Sequence, residues 1–219
     1  MEDVRAIGAE PALVDLLDSG AVTDAVRRAC PEVIVHEAIP DPVHALRAPL
    51  AAIRHLEAAV AAADDLEGVI FRYGAFYGPS TSLGVGGVHF EQIRRRRLLI
   101  IEPGTGIWSF VHIDDAATAT AAAIERGPRG IYNVVDDEPA PVSEWLPALA
   151  AAIGAKPPLQ VPRWLGRLVA GEAAVVLMIE ARGASNAKVK RILGWQPSYR
   201  SWRDGFRKLL TPSCSSHGN

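Results

Sequence analysis

The sequence predicts an α/β fold built on a parallel, doubly covered sheet, with a smaller and mainly helical lobe at the C-terminal end. Three observations carry this. Strand-like and helix-like segments alternate over the first two-thirds of the chain. The strand candidate Val33–Val35 is a β-branched run without alternation, as expected of a strand buried on both faces, and Gly68–Tyr73 is another strand. The last third is dominated by helical spacing.

Taken in order, Ala12–Val14 is a short strand candidate, and Asp18 or Ser19 can cap a helix running to about Ala29. Pro31 ends that helix and VIV at 33–35 follows as a strand. Leu50, Ile53, Leu56 and Val60 share one helical face, which places a helix over 50–63. Gly68–Tyr73 is a strand, followed by a loop rich in Gly, Ser and Thr, a helix over 88–96 and a strand over 98–101. The PGTG turn at 103–106 leads into a strand at WSFV, 108–111. Asp114 and Asp115 open an alanine-rich helix, with Asp114 as its cap, that Gly127 and Pro128 stop. A strand at 131–135 precedes helices at 144–153 (capped by Ser143), 164–181, 186–193 and 202–209. The tail from Thr211 to Asn219 is small and polar, and is expected to fray.

Composition narrows the functional classes. With 219 residues, 49% hydrophobic and 22% charged, the chain is an ordinary globular sequence. A net charge of −2 gives no field that would draw it to nucleic acid or an anionic membrane. Two distant cysteines, Cys30 and Cys214, offer neither a disulfide framework nor a metal-ligand spacing, which favours a reducing cytoplasm. The N-terminal segment lacks an apolar signal region, and the apolar stretch 165–179 contains Arg167 and Glu172. No membrane association is expected.

Four segments, in order, point to a family. They are RYGAFYGP at 72–79, WSFVHIDDAATA at 108–119, IYNVVDDEP at 131–139, and SNAKVKRILGW at 185–195 with Pro197. Together they resemble the extended short-chain dehydrogenase/reductases of the NAD(P)-dependent epimerase/dehydratase type. The resemblance implies a Rossmann-like doubly wound sheet, NAD or NADP as cofactor, and a small-molecule substrate such as a sugar nucleotide. Residues 1–79 and 107–136 would then be dinucleotide-binding domain, and 80–106 and 137–210 substrate lobe. Gly8–Asp18 is similar to the family strand that holds adenine, so Asp15 and Leu16 are implied cofactor contacts. VIVHEA at 33–38 is similar to a strand whose end lies along the cofactor, which implies His36. The end of the RYG strand passes beside the nicotinamide, implying Tyr73 and Gly74. Tyr77, Arg94 and Arg97 are implied on the substrate side.

The sequence also departs from the family. No G-x-x-G-x-x-G stands near its start, where backbone N–H groups would cradle a pyrophosphate. Gly84, Gly86 and Gly87 lie after the RYG strand, on the substrate side. The Tyr-x-x-x-Lys acid/base pair is absent, its places aligning with Pro49 and Ile53; His55 on the same helix is the candidate substitute. VIVHEA runs almost directly into PDPVHALRAPL, where a helix and a further strand would intervene. The expectation is an incomplete sheet that re-pairs its strands, forms a homo-oligomer or stays partly unfolded. Catalytic activity of the chain alone is expected to be impaired. The alternative reading is a non-catalytic remnant, or a module that binds a small molecule or a partner.

Each residue also has a structural account. Asp15 can solvate a strand end, His36 can sit in a turn, and Tyr73 and Tyr77 can be core and loop aromatics. His112, Asp114 and Asp115 can serve the helix start, and Arg94–Arg97 a solvated helix C-terminus. Asp136, Asp137 and Glu138 read as a surface loop, since no further metal ligand is nearby.

Overall fold

The computed structural model describes residues 12, 14, 18–29, 33–36, 47–62 and 67–208. Asp15, Leu16 and the tail from Thr211 lie outside them. Ala12 and Val14 stand in irregular backbone rather than in the expected strand. Helix α1 (Ser19–Ala29) starts where Asp18 Oδ1 accepts the N–H groups of Gly20 and Ala21, at 2.9 and 3.0 Å.

Three parallel strands form the main sheet. Strand β1 (Val33–His36) pairs with β2 (Glu67–Tyr73), and β2 pairs with β7 (Gly130–Val134) on its other side. His36 is in register with Ile70, and Tyr73 with Val134. VIVH thus pairs directly with the RYG strand. Helix α2 (Arg47–Ala62) makes that connection and packs on β2. The result is an α/β Rossmann-like arrangement of parallel strands and helices.

The chain leaves this sheet at Gly74. Strand β3 (Ala75–Tyr77) abandons β7 and pairs in parallel with β6 (Phe110–His112). A side chain at Gly74 would put its Cβ 2.6 Å from the Ser109 carbonyl oxygen, so only glycine lets the two backbones touch. Helix α3 (Val88–Arg94) follows, then β4 (Ile100–Ile101) and β5 (Ile107–Trp108). The expected single strand at WSFV is therefore two. Trp108 pairs antiparallel with β8 (Ala140–Pro141), whereas Phe110 pairs with Ala75, and Ser109 is the corner between them.

Helix α4 (Ile113–Arg126) lays Ala116, Ala119 and Ala123 against Val69, Phe71, Tyr132 and Val134. Small residues there let the helix approach the sheet closely. His112 caps it: Nδ1 accepts the Asp114 N–H at 3.2 Å, a place the sequence assigned to Asp114 itself. Asp115 is instead buried, at 1% exposure, and accepts the N–H groups of Ser198 and Tyr199.

The second core lies in the C-terminal part. Helix α5 (Val142–Ala152) begins at Pro141 without the expected Ser143 cap. Strand β9 (Gln160–Val161) pairs with β4. Helix α6 (Arg163–Ile179) is broken at Gly171, whose φ of 83° and ψ of 170° are not helical, so the expected single helix is two. Helices α7 (Ala187–Leu193) and α8 (Trp202–Lys208) complete the fold. Tyr77, Phe110, Trp145, Trp202 and Phe206 fill this core, with ring centroids 5.3–6.0 Å apart in its aromatic contacts.

Of the acidic triplet, Asp137 is exposed and Glu138 half-buried in irregular backbone, and Asp136 alone departs from the expected surface loop. Asp136 is 2% exposed at the end of the β7 segment, and its N–H donates to the Phe110 carbonyl. Asp137 pairs with Lys190 and accepts from Asn186, and Glu138 pairs with Arg203 at 2.5 Å. No helix among the described residues is long and apolar enough to cross a membrane.

Candidate functional site

The divergence of β2 from β3 opens a cavity of about 900 Å³ at the carboxyl edge of the main sheet. Parallel sheets bind ligands at this edge because strand ends and loops converge there around a space the helices leave open. Its volume is in the range of small-molecule sites. Strand β2 contributes Arg72 and Tyr73, the crossing contributes Gly74–Phe76, and β7 and the residue after it contribute Asn133 and Val135. The opposite walls are Ser80–Leu83, His89 of α3, Ile107–Ser109, Leu177 of α6 and the segment 181–185.

The walls are held in place by named bonds. Gly74 N–H donates to the Val134 carbonyl at 3.2 Å and Ala75 N–H to the Ser109 carbonyl at 2.8 Å. The Ser109 hydroxyl accepts the Ala184 N–H at 2.9 Å, which fixes the far wall to the same residue. Trp108 Nε1 donates to the Leu177 carbonyl at 3.0 Å, so its indole is oriented and its one donor is used. Arg72 is held by Glu57 through two hydrogen bonds of 2.6–2.7 Å, and the pairing raises the guanidinium above its ordinary pKa. His89 is half-buried, and burial pushes its pKa below the usual histidine value.

The implied site residues separate in space. Tyr73 and Gly74 line the cavity; the Tyr73 hydroxyl shares a 2.5 Å hydrogen bond with Thr120 of α4. Tyr77 does not line it. Its ring is 0% exposed between His112 and Phe206, and burial pushes its hydroxyl far above the ordinary tyrosine pKa. Arg94 lies exposed on α3, paired with Glu91, and Arg97 is exposed beyond the same helix; neither lines the cavity. His55 is exposed on α2, away from the lining. His36 ends β1 at the same carboxyl edge of the sheet. The sequence reading did not single out His89, Ser109 or Arg182. His89 and Arg182 carry no motif, and the role of Ser109 arises only from the corner in WSFV.

The loop glycines pack within their own turn. Gly84 sits against the Gly78 carbonyl and Gly87 against the carbonyls of Thr81 and Ser82. They close the turn and do not present a row of N–H groups to a phosphate.

Comparison with known proteins agrees with this architecture. Residues 46–134 match the sequence pattern of the NAD dependent epimerase/dehydratase family. A Streptomyces protein, 3-diazoavenalumate denitrifying reductase, is 41% identical over 167 residues, covering 76% of this chain and 54% of that protein. The chain thus spans about half the length of this curated relative. Among solved structures, a functionally unknown conserved protein from Silicibacter pomeroyi superposes with a TM-score of 0.67 at 23% identity, over 95% of this chain and 85% of that one. The dTDP-glucose 4,6-dehydratase DesIV of Streptomyces venezuelae, solved with NAD and TYD, gives 0.64 at 18% identity, over 86% and 62%. At these identities the structures speak for the fold. The matched pattern over residues 46–134 and the fold agree in identifying an NAD dependent epimerase/dehydratase domain within the chain.

Proposed function

We propose that this chain is the substrate-holding part of an NAD(P)-dependent reductase, and that taken alone it binds its small molecule without turning it over. The observation that carries the reading is the cavity at the sheet's carboxyl edge, floored by Tyr73 and Gly74 and anchored on Ser109. The reductase reading is preferred to epimerase or dehydratase because the 41% identical relative is a reductase.

NAD or NADP would lie with its nicotinamide end beside Tyr73 and Gly74, with Asp15, Leu16 and His36 as further contacts, and would supply the hydride. This chain's own residues hold the substrate and exclude water from it. None of its four tyrosines is followed four places on by a lysine, and the Tyr73 hydroxyl is committed to Thr120. A proton donor of that kind would have to be supplied by residues beyond these. The rival, a binding module unconnected with a cofactor, makes a different prediction in one titration.

Calorimetry of the folded chain with NAD(H) and NADP(H) is the test. Micromolar binding supports a nicotinamide site in this chain. No heat at millimolar cofactor, with small-molecule binding retained, favours the binding module. Saturable NAD(P)H oxidation by the chain with any carbonyl substrate would overturn the claim that it does not turn substrate over.

A further inference from the structure

The charge around the cavity is one-sided. Its described lining includes Arg72, Arg182 and His89, and no aspartate or glutamate. Arg72 is already neutralised by Glu57. Burial disfavours the charged form of His89. Arg182 is left: it is exposed, lines the cavity, and has no ion pair or side-chain hydrogen bond among the described residues.

The backbone that carries Arg182 is fixed on both sides. Ile107 N–H donates to the Ala181 carbonyl at 2.8 Å, and Ala184 N–H donates to the Ser109 hydroxyl. Gly183 between them is pressed against Ile107 and Pro139. A cation mounted on a backbone pinned this way meets a ligand with less ordering than one on a free loop.

The walls facing it are largely apolar. Trp108 has spent its only donor on Leu177 and offers the cavity ring surface alone, and Ile107, Leu177, Leu83 and Val135 add hydrocarbon. Ser80, Thr81, Ser82, Asn133 and Ser185 offer polar groups elsewhere in the lining, but a hydroxyl-rich sugar laid on the Trp108, Ile107 and Leu177 face would leave its hydroxyls there without partners. An apolar ring would not. We infer that the site takes a small organic acid, its aromatic or similarly flat apolar body against Trp108, Ile107 and Leu177, and its carboxylate on the guanidinium of Arg182. The inference rests on the reading that this cavity is the substrate site, and it names the substrate class.

The test is cofactor-free calorimetry of the full chain with three probes: 3-phenylpropionate, its neutral isostere 3-phenylpropanamide, and uridine diphosphate. The acid is expected to bind about tenfold or more tightly than the amide, as a charge-assisted bond requires. Arg182→Gln should erase that difference while leaving amide binding unchanged, and Arg182→Lys should restore part of it. Arg94→Gln, on the outer helix, should leave the preference intact. Equal binding of acid and amide, or a preference that survives Arg182→Gln, overturns the acid class but leaves the reductase reading standing. Tighter, Arg182-dependent binding of uridine diphosphate overturns it in favour of a sugar nucleotide. Binding of none of the three probes overturns both this inference and the cavity as substrate site. Loss of cofactor binding alone counts against the reductase reading and not against this one.

Discussion

Arg72 grips Glu57 at two points, Nε to Oε1 at 2.7 Å and Nη2 to Oε2 at 2.6 Å, and so ties helix α2 to the strand end that lines the cavity. The two partners are unequal. The Glu57 side chain is 8% exposed, and that of Arg72 is 54% exposed. Removing the arginine takes the charged partner from a largely buried carboxylate, whereas neutralising the glutamate leaves a cation that water can solvate. Arg72→Leu should therefore lower stability by about 2 kcal/mol, and Glu57→Gln by about 1 or less, after discounting for the exposed partner. Urea denaturation of the two variants checks the order; equal losses would show that the asymmetry in burial does not matter.

Asp136 gives stability a pH dependence of unusual sign. Burial pushes its carboxyl up to about 7, against the pull of the Glu138 and Trp202 backbone N–H groups, from an ordinary 3.8. Between those two values the folded chain holds a proton that the unfolded chain has released. Stability from this group must therefore fall as pH rises through that window, by up to about 1.4 kcal/mol per pH unit, and be level outside it. Asp136→Asn should flatten that slope and be the more stable form at pH 7.5. Denaturation midpoints at pH 4.5, 6.0 and 7.5 measure this, and identical slopes in the two proteins would sink it.

Gly205 of α8 packs against the hydroxyl end of the Tyr77 ring, and a methyl group there would overlap the ring's edge and its hydroxyl. Both residues are buried, at 0% exposure for Tyr77. Gly205→Ala gains helix propensity of about 1 kcal/mol but must displace an aromatic ring, with overpacking of about 1–3 kcal/mol. We expect a net loss. Thermal unfolding of Gly205→Ala beside the double variant Gly205→Ala/Tyr77→Leu decides it: the second substitution should recover part of the loss.

Much of this could be read in the sequence because it depends on local chemistry. Asp18 before an amphipathic run, the β-branched core of β2, and Gly127–Pro128 after an alanine-rich helix each act within a few residues of themselves. Gly74 was legible as a turn at the sheet edge, although the carbonyl that demands it belongs to Ser109, 35 positions away. What stayed hidden depended on partners distant in sequence. The corner inside WSFV exists because Trp108 pairs with Ala140 and Phe110 with Ala75. Asp136 reads as a surface acid until Phe110 and the Trp202 helix close over it. Arg182 has no periodicity or motif around it that marks it as lining a cavity.

Ser109→Ala should separate stability from binding. It removes one hydrogen bond, with an expected loss of about 1 kcal/mol, while freeing the segment that carries Arg182. Acid binding measured as above should weaken several-fold at a temperature where the fold is intact. Unchanged affinity would show that the 181–185 segment is held by its other contacts.

Ser109 uses its carbonyl for one wall of the cavity and its hydroxyl for the other. The aperture is therefore spanned by one amino acid and not by the distance between two independently folded layers. A displacement of residue 109 would carry both walls with it. It also means that the segment 181–185 can change in sequence, and with it the ligand admitted, without any strand of the main sheet having to move.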